Sequence, residues 1–227
     1  MNIVVTGASR GIGRAIAVKF AGEGHRVMVC SRSEAKLKEL KSSSPSIEIY
    51  TCDVSVKEDV LKFGDHVLSA FDSLDVLVNN AGIFLPGLVL EEEDGMLEEM
   101  IRTNLYSAYY LTKKLAPKMI AQKQGHIFNL CSVASLQAYE NGGSYSISKF
   151  ALLGFSKTLR EELKAHNIKV TSILPGATLT DSWGNTDLPE SRFIPATDIA
   201  ELVYGITQLS KFSVVEDIVI RPQQGDI

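Results

Sequence analysis

Tyr145 and Lys149 stand four residues apart, the separation that puts two side chains on one face of a helix. A free phenol titrates near ~10 and is a poor base at neutral pH. A neighbouring ammonium favours phenolate, so the pairing predicts a lowered Tyr145 pKa and a group that can give or take a proton at a carbonyl or alcohol oxygen. Ser132, at the close of an apolar run, supplies a further donor to the oxygen where negative charge develops. Asn104, in a long helical segment upstream, is expected to fix a water that links Lys149 to solvent. A tyrosine and a lysine on one helix face are commonplace, so the pair gains meaning only from what accompanies it.

What accompanies it is a glycine-rich turn, Thr6-Gly7-Ala8-Ser9-Arg10-Gly11-Ile12-Gly13, directly after the apolar run Ile3-Val4-Val5. Gly7 can turn without a side chain, Gly11 lets the backbone approach a pyrophosphate, and Gly13 permits close helix–strand packing. The helix that follows presents unpaired N–H groups to an anion. An ordinary tight turn is the plainer reading, and the strand before it and the long helix after it favour a dinucleotide. The bound dinucleotide would be a nicotinamide cofactor, given the proton-transfer group downstream.

The end of the second strand bears on which one. An acidic residue there would bond the adenosine 2′-hydroxyl and repel a 2′-phosphate. The chain has Ser31-Arg32 instead, with Arg10 in the glycine turn, so NADP(H) is expected over NAD(H). Either arginine could instead be a solvated surface residue. Asp53 ends the third strand and can accept from the adenine amino group, and Val54 can cover the ring. In Asn79-Asn80-Ala81-Gly82 the amides can tie backbone segments together, while Ala81 and Gly82 leave room for a ribose. Lys149 has a second role available, bridging the nicotinamide ribose hydroxyls.

Around these residues, short branched apolar runs alternate with longer amphipathic segments. Strands are expected at Ile3–Val5, His25–Cys30, Ile47–Cys52, Leu74–Val78, His126–Cys131, Lys169–Leu174 and Val215–Arg221. Helices are expected from about Gly11 to Glu23, Ser33 to Lys41, Lys57 to Phe71, Asp94 to Gln122, Tyr145 to His166 and Asp198 to Ser210. Near-continuous apolar strands separated by helices indicate a parallel sheet covered on both faces. Right-handed crossovers then give a doubly wound α/β fold of the Rossmann type, order 3-2-1-4-5-6-7, its ligand at the C-terminal strand edge. The length of 227 residues suits one domain. Residues 177–197 break the rhythm with Trp183, Gly184, Pro189 and Pro195, as a substrate-binding loop would.

Composition excludes other classes of function. A net charge of −4 gives no general attraction to nucleic acid or anionic lipid. No stretch reads as a membrane span, and the first residues lack the basic region of a secretion signal, which suits a cytoplasmic protein. Cys30, Cys52 and Cys131 read as buried reduced thiols, and four scattered histidines make no metal site. Cys131 adjoins Ser132 but has no general base beside it.

Taken together these motifs resemble the classical short-chain dehydrogenase/reductases, from Asn2 through about Arg221. Thr6-Gly7-x-x-x-Gly11-x-Gly13 is similar to that family's cofactor motif, and Asn79-Asn80-Ala81-Gly82 to its signature after the fourth strand. Asn104, Ser132, Tyr145 and Lys149 match its catalytic tetrad. The resemblance implies hydride transfer between NADP(H) and a small carbonyl/alcohol pair, with Asp53 at the adenine. It implies that Pro175-Gly176 and Thr180 line the nicotinamide end and orient the carboxamide, and that the protein is a homodimer or homotetramer. The segment after Thr180 is short for the family, and the stretch Ile218–Ile227 lacks its common glycine-paired ending. Rival readings are a 3-oxoacyl thioester reductase acting on a carrier-bound acyl group, and a catalytically silent nucleotide-binding sensor or scaffold. Trp183, Phe193, Leu136, Tyr139 and Phe84 are candidate pocket walls, each equally able to serve in a core or interface.

Overall fold

In the computed structural model, which describes residues 1–180, 183 and 186–227, β1 (Asn2–Thr6) runs through the middle of a seven-stranded sheet. It is hydrogen-bonded in parallel to β2 (Arg26–Ser31) on one side and β4 (Val76–Asn79) on the other. β3 (Ile47–Thr51) lies outside β2, and β5 (Gly125–Leu130), β6 (Ile168–Pro175) and β9 (Asp217–Ile220) continue from β4. Every pairing is parallel and the order is 3-2-1-4-5-6-9, the expected doubly wound arrangement with two short strands intervening in the chain.

Side chains alternate across each strand, so one strand feeds two cores. Ile3 and Val5, with Val27, Val29, Val76 and Val78, pack under α1 (Gly11–Gly22), α2 (Glu34–Ser43) and α7 (Ala196–Thr207). Val4, Met28, Leu77 and Ile127 face the other way, toward α3 (Lys57–Ala70) and α5 (Ser107–Gln122). Both faces are therefore apolar, which is why the strand runs read as near-continuous rather than alternating. α1 presents Ile16, Ala17 and Phe20 to Ile199, Ala200 and Val203 of α7, a stripe at helical spacing. α6 (Gly143–Leu163) packs along β6 and contributes Leu159 and Leu163 to the second core.

Two expected elements differ. The segment from Asp94 to Gln122 is not one α-helix: α4 (Met96–Ile101) passes through a turn of π-helix at Arg102–Tyr106 before α5 begins. Ser107 N–H there reaches Arg102 O, one residue farther back than in an α-helix. The stretch 177–197 is also less irregular than its sequence suggests. β7 (Thr178–Leu179) pairs in parallel with β8 (Ile194–Pro195), and Ile194 N–H donates to Ala177 O at 2.8 Å. Gly184 of this stretch lies outside the described residues. Among the described residues no helix is long and apolar enough to cross a membrane.

Candidate active site

The glycine turn after β1 and the Asn79–Gly82 turn after β4 meet at the C-terminal edge of the sheet, where the chain direction splits between the two halves. Gly7 and Gly11 have φ of 68° and 56°, backbone positions that a side chain strains. A Cβ on Gly13 would lie 2.3 Å from Asn80 Nδ2 and 2.7 Å from Gly7 O, so only glycine lets α1 start this close to β4. Asn80 uses that closeness: Nδ2 donates to Thr6 O at 2.8 Å and Gly7 O at 3.2 Å. Its N–H and that of Ala81 both donate to Thr6 Oγ1.

Over this edge lies a cavity of about 330 Å³. It is lined on the turn side by Gly7, Ser9, Arg10, Gly11 and Ile12, and across from them by Asn80, Ala81 and Gly82. Thr180 closes it near Gly11, and Val54 and Cys52 form a wall after β3. At the end of β2, Ser31 and Arg32 line the same space as Arg10. Ser31 Oγ is buried with no hydrogen-bond partner, an unmet cost unless a ligand group completes it. Hydroxyl, guanidinium groups and glycine cradle together fit a dinucleotide.

Lys36 also lines this end, a residue that the sequence patterns above do not single out. It stands in the first turn of α2, where Ser33 Oγ caps the helix by accepting Lys36 N–H at 3.4 Å. The available signal was a further basic residue close after Arg32, in the first turn of the expected helix. Three other expected contacts, Asp53, Pro175 and Gly176, are not among the residues that line this cavity. Asp53 turns one carboxylate oxygen onto Ser55 N–H at 2.9 Å and Ser55 hydroxyl at 2.7 Å, and it is absent from the cavity lining. Pro175 and Gly176 are likewise not in the lining; Gly176 N–H donates to Ile220 O, and the residue packs against Pro222 and Asp226.

The residues expected to transfer a proton gather at the Gly82 end. A Cβ on Gly82 would stand 3.2 Å from Asn104 Oδ1 and 3.6 Å from Lys149 Nζ. Lys149 is buried, and its ammonium donates to Leu130 O at 2.7 Å while standing 5.7 Å from the centre of the Tyr145 ring. Burial pushes the Lys149 pKa down to about 8, slightly countered by the Cys131 side chain. Ser132 begins a short 3-10 turn; its Oγ accepts Ala134 N–H, and its N–H donates to Ser135 Oγ.

In the protein alone the Tyr145 pKa moves up, whereas the expected lowering rested on Lys149 and a bound oxidised nicotinamide together. Burial raises its pKa above the usual phenol value, a hydrogen bond with Ser132 opposes the rise, and Cys131 adds to it. The lysine charge on the same helix face pointed the other way, but loss of water around the phenol is the larger effect here. Burial likewise holds the Cys131 thiol up at about 12, far from a nucleophile.

Asn104 engages its side-chain amide within the protein. Its Oδ1 accepts Ile83 N–H at 2.8 Å, while Nδ2 donates to Ile83 O at 3.0 Å and to Ser148 Oγ at 2.9 Å. The amide is spent on pinning the chain after Gly82 to α6. Asn79 is buried and bonds Thr112 Oγ1 and Asn129 Oδ1, tying β4 to α5 and β5.

The proposed apolar walls divide. Phe84 stands edge-on to Tyr145 with ring centres 4.9 Å apart. Trp183 packs on Phe193 at 4.9 Å and donates through Nε1 to Thr178 O. Phe193 itself is buried, whereas Leu136 and Tyr139 are half exposed.

The chain as a whole has known counterparts. The family model for short chain dehydrogenases matches residues 1–190. The chain belongs to the short-chain dehydrogenase family. Its reaction class is therefore that of an oxidoreductase using a nicotinamide cofactor. A sepiapterin reductase of Chlorobaculum tepidum is 34% identical over 240 residues, covering 99% of this chain and 97% of the relative. A 3-oxoacyl-[acyl-carrier-protein] reductase of Staphylococcus aureus is also 34% identical, over 217 residues, 89% of this chain and 88% of that one. A crystal structure of a metagenomic short-chain oxidoreductase in complex with NADP superposes with a TM-score of 0.87 at 33% identity, covering 98% and 97% of the two chains.

Proposed function

We propose that this short-chain dehydrogenase is an NADP(H)-dependent carbonyl reductase, acting reversibly on a small ketone or aldehyde and the matching alcohol. The observation that carries the reading is the continuity of one edge. The buried, unpartnered Ser31 hydroxyl and the Arg10, Arg32 and Lys36 side chains line one end of the cavity. At Gly82 the other end abuts Lys149 and Asn104. A 2′-phosphate on Ser31, Arg10, Arg32 and Lys36 would have three cations and a hydroxyl donor, which favours NADP(H) over NAD(H). The NADP complex of the metagenomic relative supports the same choice.

When bound, the cofactor supplies or accepts a hydride at its nicotinamide ring. The remaining chemistry belongs to the chain. Tyr145, its pKa raised by burial, keeps its proton at neutral pH and can donate it to a carbonyl oxygen during reduction. Ser132 Oγ already accepts Ala134 N–H, so its own hydrogen is left for that oxygen or for Tyr145. Lys149, near 8, is mostly ammonium at pH 7 and offsets the phenolate that forms beside it. A proton held on the phenol before reaction suits the reductive direction.

The whole chain acts as one catalytic domain in this reading, with residues 177–197 as the loop over the substrate. Tyr106 at the end of the π turn, Tyr109 on α5, and Ile147 and Phe150 on α6 are exposed, which supports a homo-oligomer built on those two helices. Two relatives of equal identity carry names with different substrates, so similarity does not choose the carbonyl compound. The test is a screen of NADPH and NADH oxidation with 4-nitrobenzaldehyde, simple ketones, sepiapterin and a 3-oxoacyl thioester. Arg32→Ala should weaken NADPH by roughly 10-fold or more, in line with loss of a charge-assisted bond, and NADH by less than about twofold. Equal losses for both cofactors would overturn the NADP(H) assignment.

A further inference from the structure

α6 carries Tyr145 and Lys149, yet it begins without a cap of its own. Gly142 and Gly143 open it, Gly142 makes no side-chain cap, and no acidic residue lies in its first turn. The first N–H groups of any helix need partners, and the positive end of the helix favours an anion. Both needs are met from a distant part of the chain. Glu92, in the long connection between β4 and α4, accepts Ser144 N–H on Oε1 at 2.8 Å, and its Oε2 accepts the Ser144 hydroxyl. Ser144 is buried and immediately precedes Tyr145.

The clamp is built closely from both sides. Gly143 has a positive φ of 24°, and a Cβ there would lie 2.0 Å from Glu92 Oε1 and 2.6 Å from Gly87 O. A Cβ on Gly87 would lie 2.6 Å from Glu92 Cγ. Gly87 also pairs with Gly142 as an isolated parallel bridge, and its N–H donates to Asn141 O at 3.1 Å. Asn141, with φ of 59°, makes the turn that presents that carbonyl. The same loop is held at its start by Asn104, whose amide grips both backbone groups of Ile83 and the Ser148 hydroxyl. The connection after β4 is thus fastened to α6 at two levels: at Ser148, one residue before Lys149, and at Ser144, one residue before Tyr145.

We propose that Glu92 is a positioning residue for Tyr145: its carboxylate fixes the first turn of the catalytic helix to the loop after β4 and so sets where the phenol points. This rests on Tyr145 being the proton-transfer group. No acid or base chemistry is assigned to Glu92, because both its oxygens are engaged on Ser144. A small displacement of a reacting group costs roughly 100-fold per ångström, so loosening the first turn should be visible in turnover. The cofactor cradle, built from the β1, β2 and β4 ends, should be indifferent to it.

The test compares Glu92→Ala, Glu92→Gln and Tyr145→Phe, with NADPH and 4-nitrobenzaldehyde as the probe pair and turnover normalised to NADPH-binding sites. Glu92→Ala should lower kcat by about 10-fold or more, leave the NADPH Kd within about twofold, and speed hydrogen exchange at residues 87–92 and 143–146 only. Glu92→Gln keeps an oxygen for Ser144 N–H and should recover most of kcat. A folded Glu92→Ala protein with parent kcat would overturn the proposal, as would unchanged exchange at those residues. So would NADPH affinity falling in step with kcat, or a Gln variant no better than Ala. Should Glu92→Ala not fold, Ser144→Ala removes one of the two bonds; lowered kcat at parent NADPH affinity supports the clamp, and parent kcat overturns it. Full activity in Tyr145→Phe would instead remove the underlying reading and leave the clamp as a feature of helix α6 alone.

Discussion

Replacing Lys149 with methionine should make the cofactor-free protein more stable while destroying its activity. An ammonium in water titrates at 10.5, and burial brings Lys149 to about 8. A tenfold change in a protonation equilibrium corresponds to about 1.4 kcal/mol, so keeping this charge inside costs roughly 3 kcal/mol at neutral pH. Methionine has similar length and no charge to desolvate. Against that stands the Lys149 to Leu130 carbonyl bond at 2.7 Å, whose loss leaves an acceptor unpaired at a cost of about 1–3 kcal/mol. The net gain is then on the order of 1 kcal/mol, or ~2–4 °C in Tm for a chain of this size.

The pH dependence is the sharper signature. Below pH 8 both folded and unfolded lysine are protonated and the whole penalty is present. Between about 8 and 10.5 the unfolded chain holds a proton that the folded protein has released, so the parent gains stability relative to the variant as pH rises. Urea unfolding of both proteins at about pH 7, 8.5 and 9.5, without cofactor, should show the stability difference moving toward the parent by about 1.4 kcal/mol per pH unit above pH 8, so that the parent is the more stable protein by about pH 9.5. A constant difference across these pH values, or a variant that is much less stable at pH 7, would refute the claim that an unneutralised ammonium is buried there.

Two other outcomes follow from the packing. Gly13→Ala must expel the Asn80 amide from its place 2.3 Å away, breaking its bonds to Thr6 O and Gly7 O; calorimetry should show a loss of about 2–4 kcal/mol, and NADPH binding should weaken at least about 10-fold. His126 is buried, stacked on Phe128 and bonded to Thr171 Oγ1, and burial lowers its pKa to about 3. The unfolded histidine takes a proton near pH 6.5 that the folded one refuses, so the parent should lose about 1.4 kcal/mol per pH unit as pH falls from 6.5 toward 3. His126→Gln should flatten that slope in acid unfolding curves.

How much of this could be read beforehand depends on whether a signal is local. Ile3–Val5 and the other branched runs announced buried strands because each feeds both cores, and the sheet order followed from chain chirality. Tyr145, Lys149 and Ser132 were legible through spacing and position. The π turn at Asn104 was not, since Arg102–Tyr106 carries no residue that distinguishes it from α-helix; within that turn the Asn104 amide bonds Ile83 and Ser148, partners that only the fold brings near. The β7–β8 ribbon escaped because two-residue strands leave no period. The direction in which Tyr145 titrates escaped because burial is a property of the assembled site and leaves no mark in the charges along one helix. Glu92 sits in an acidic run whose ordinary fate is solvation, and only the fold brings it to Ser144.

At the centre of the proposed mechanism stands the Tyr145 hydroxyl, assigned to carry the proton while other residues hold the cofactor. Measured with NADPH and whichever carbonyl compound the parent protein turns over fastest, Tyr145→Phe should bind NADPH within about twofold of the parent and lose roughly 10²- to 10⁴-fold in kcat. A phenylalanine variant that turns over at the parent rate would contradict that assignment.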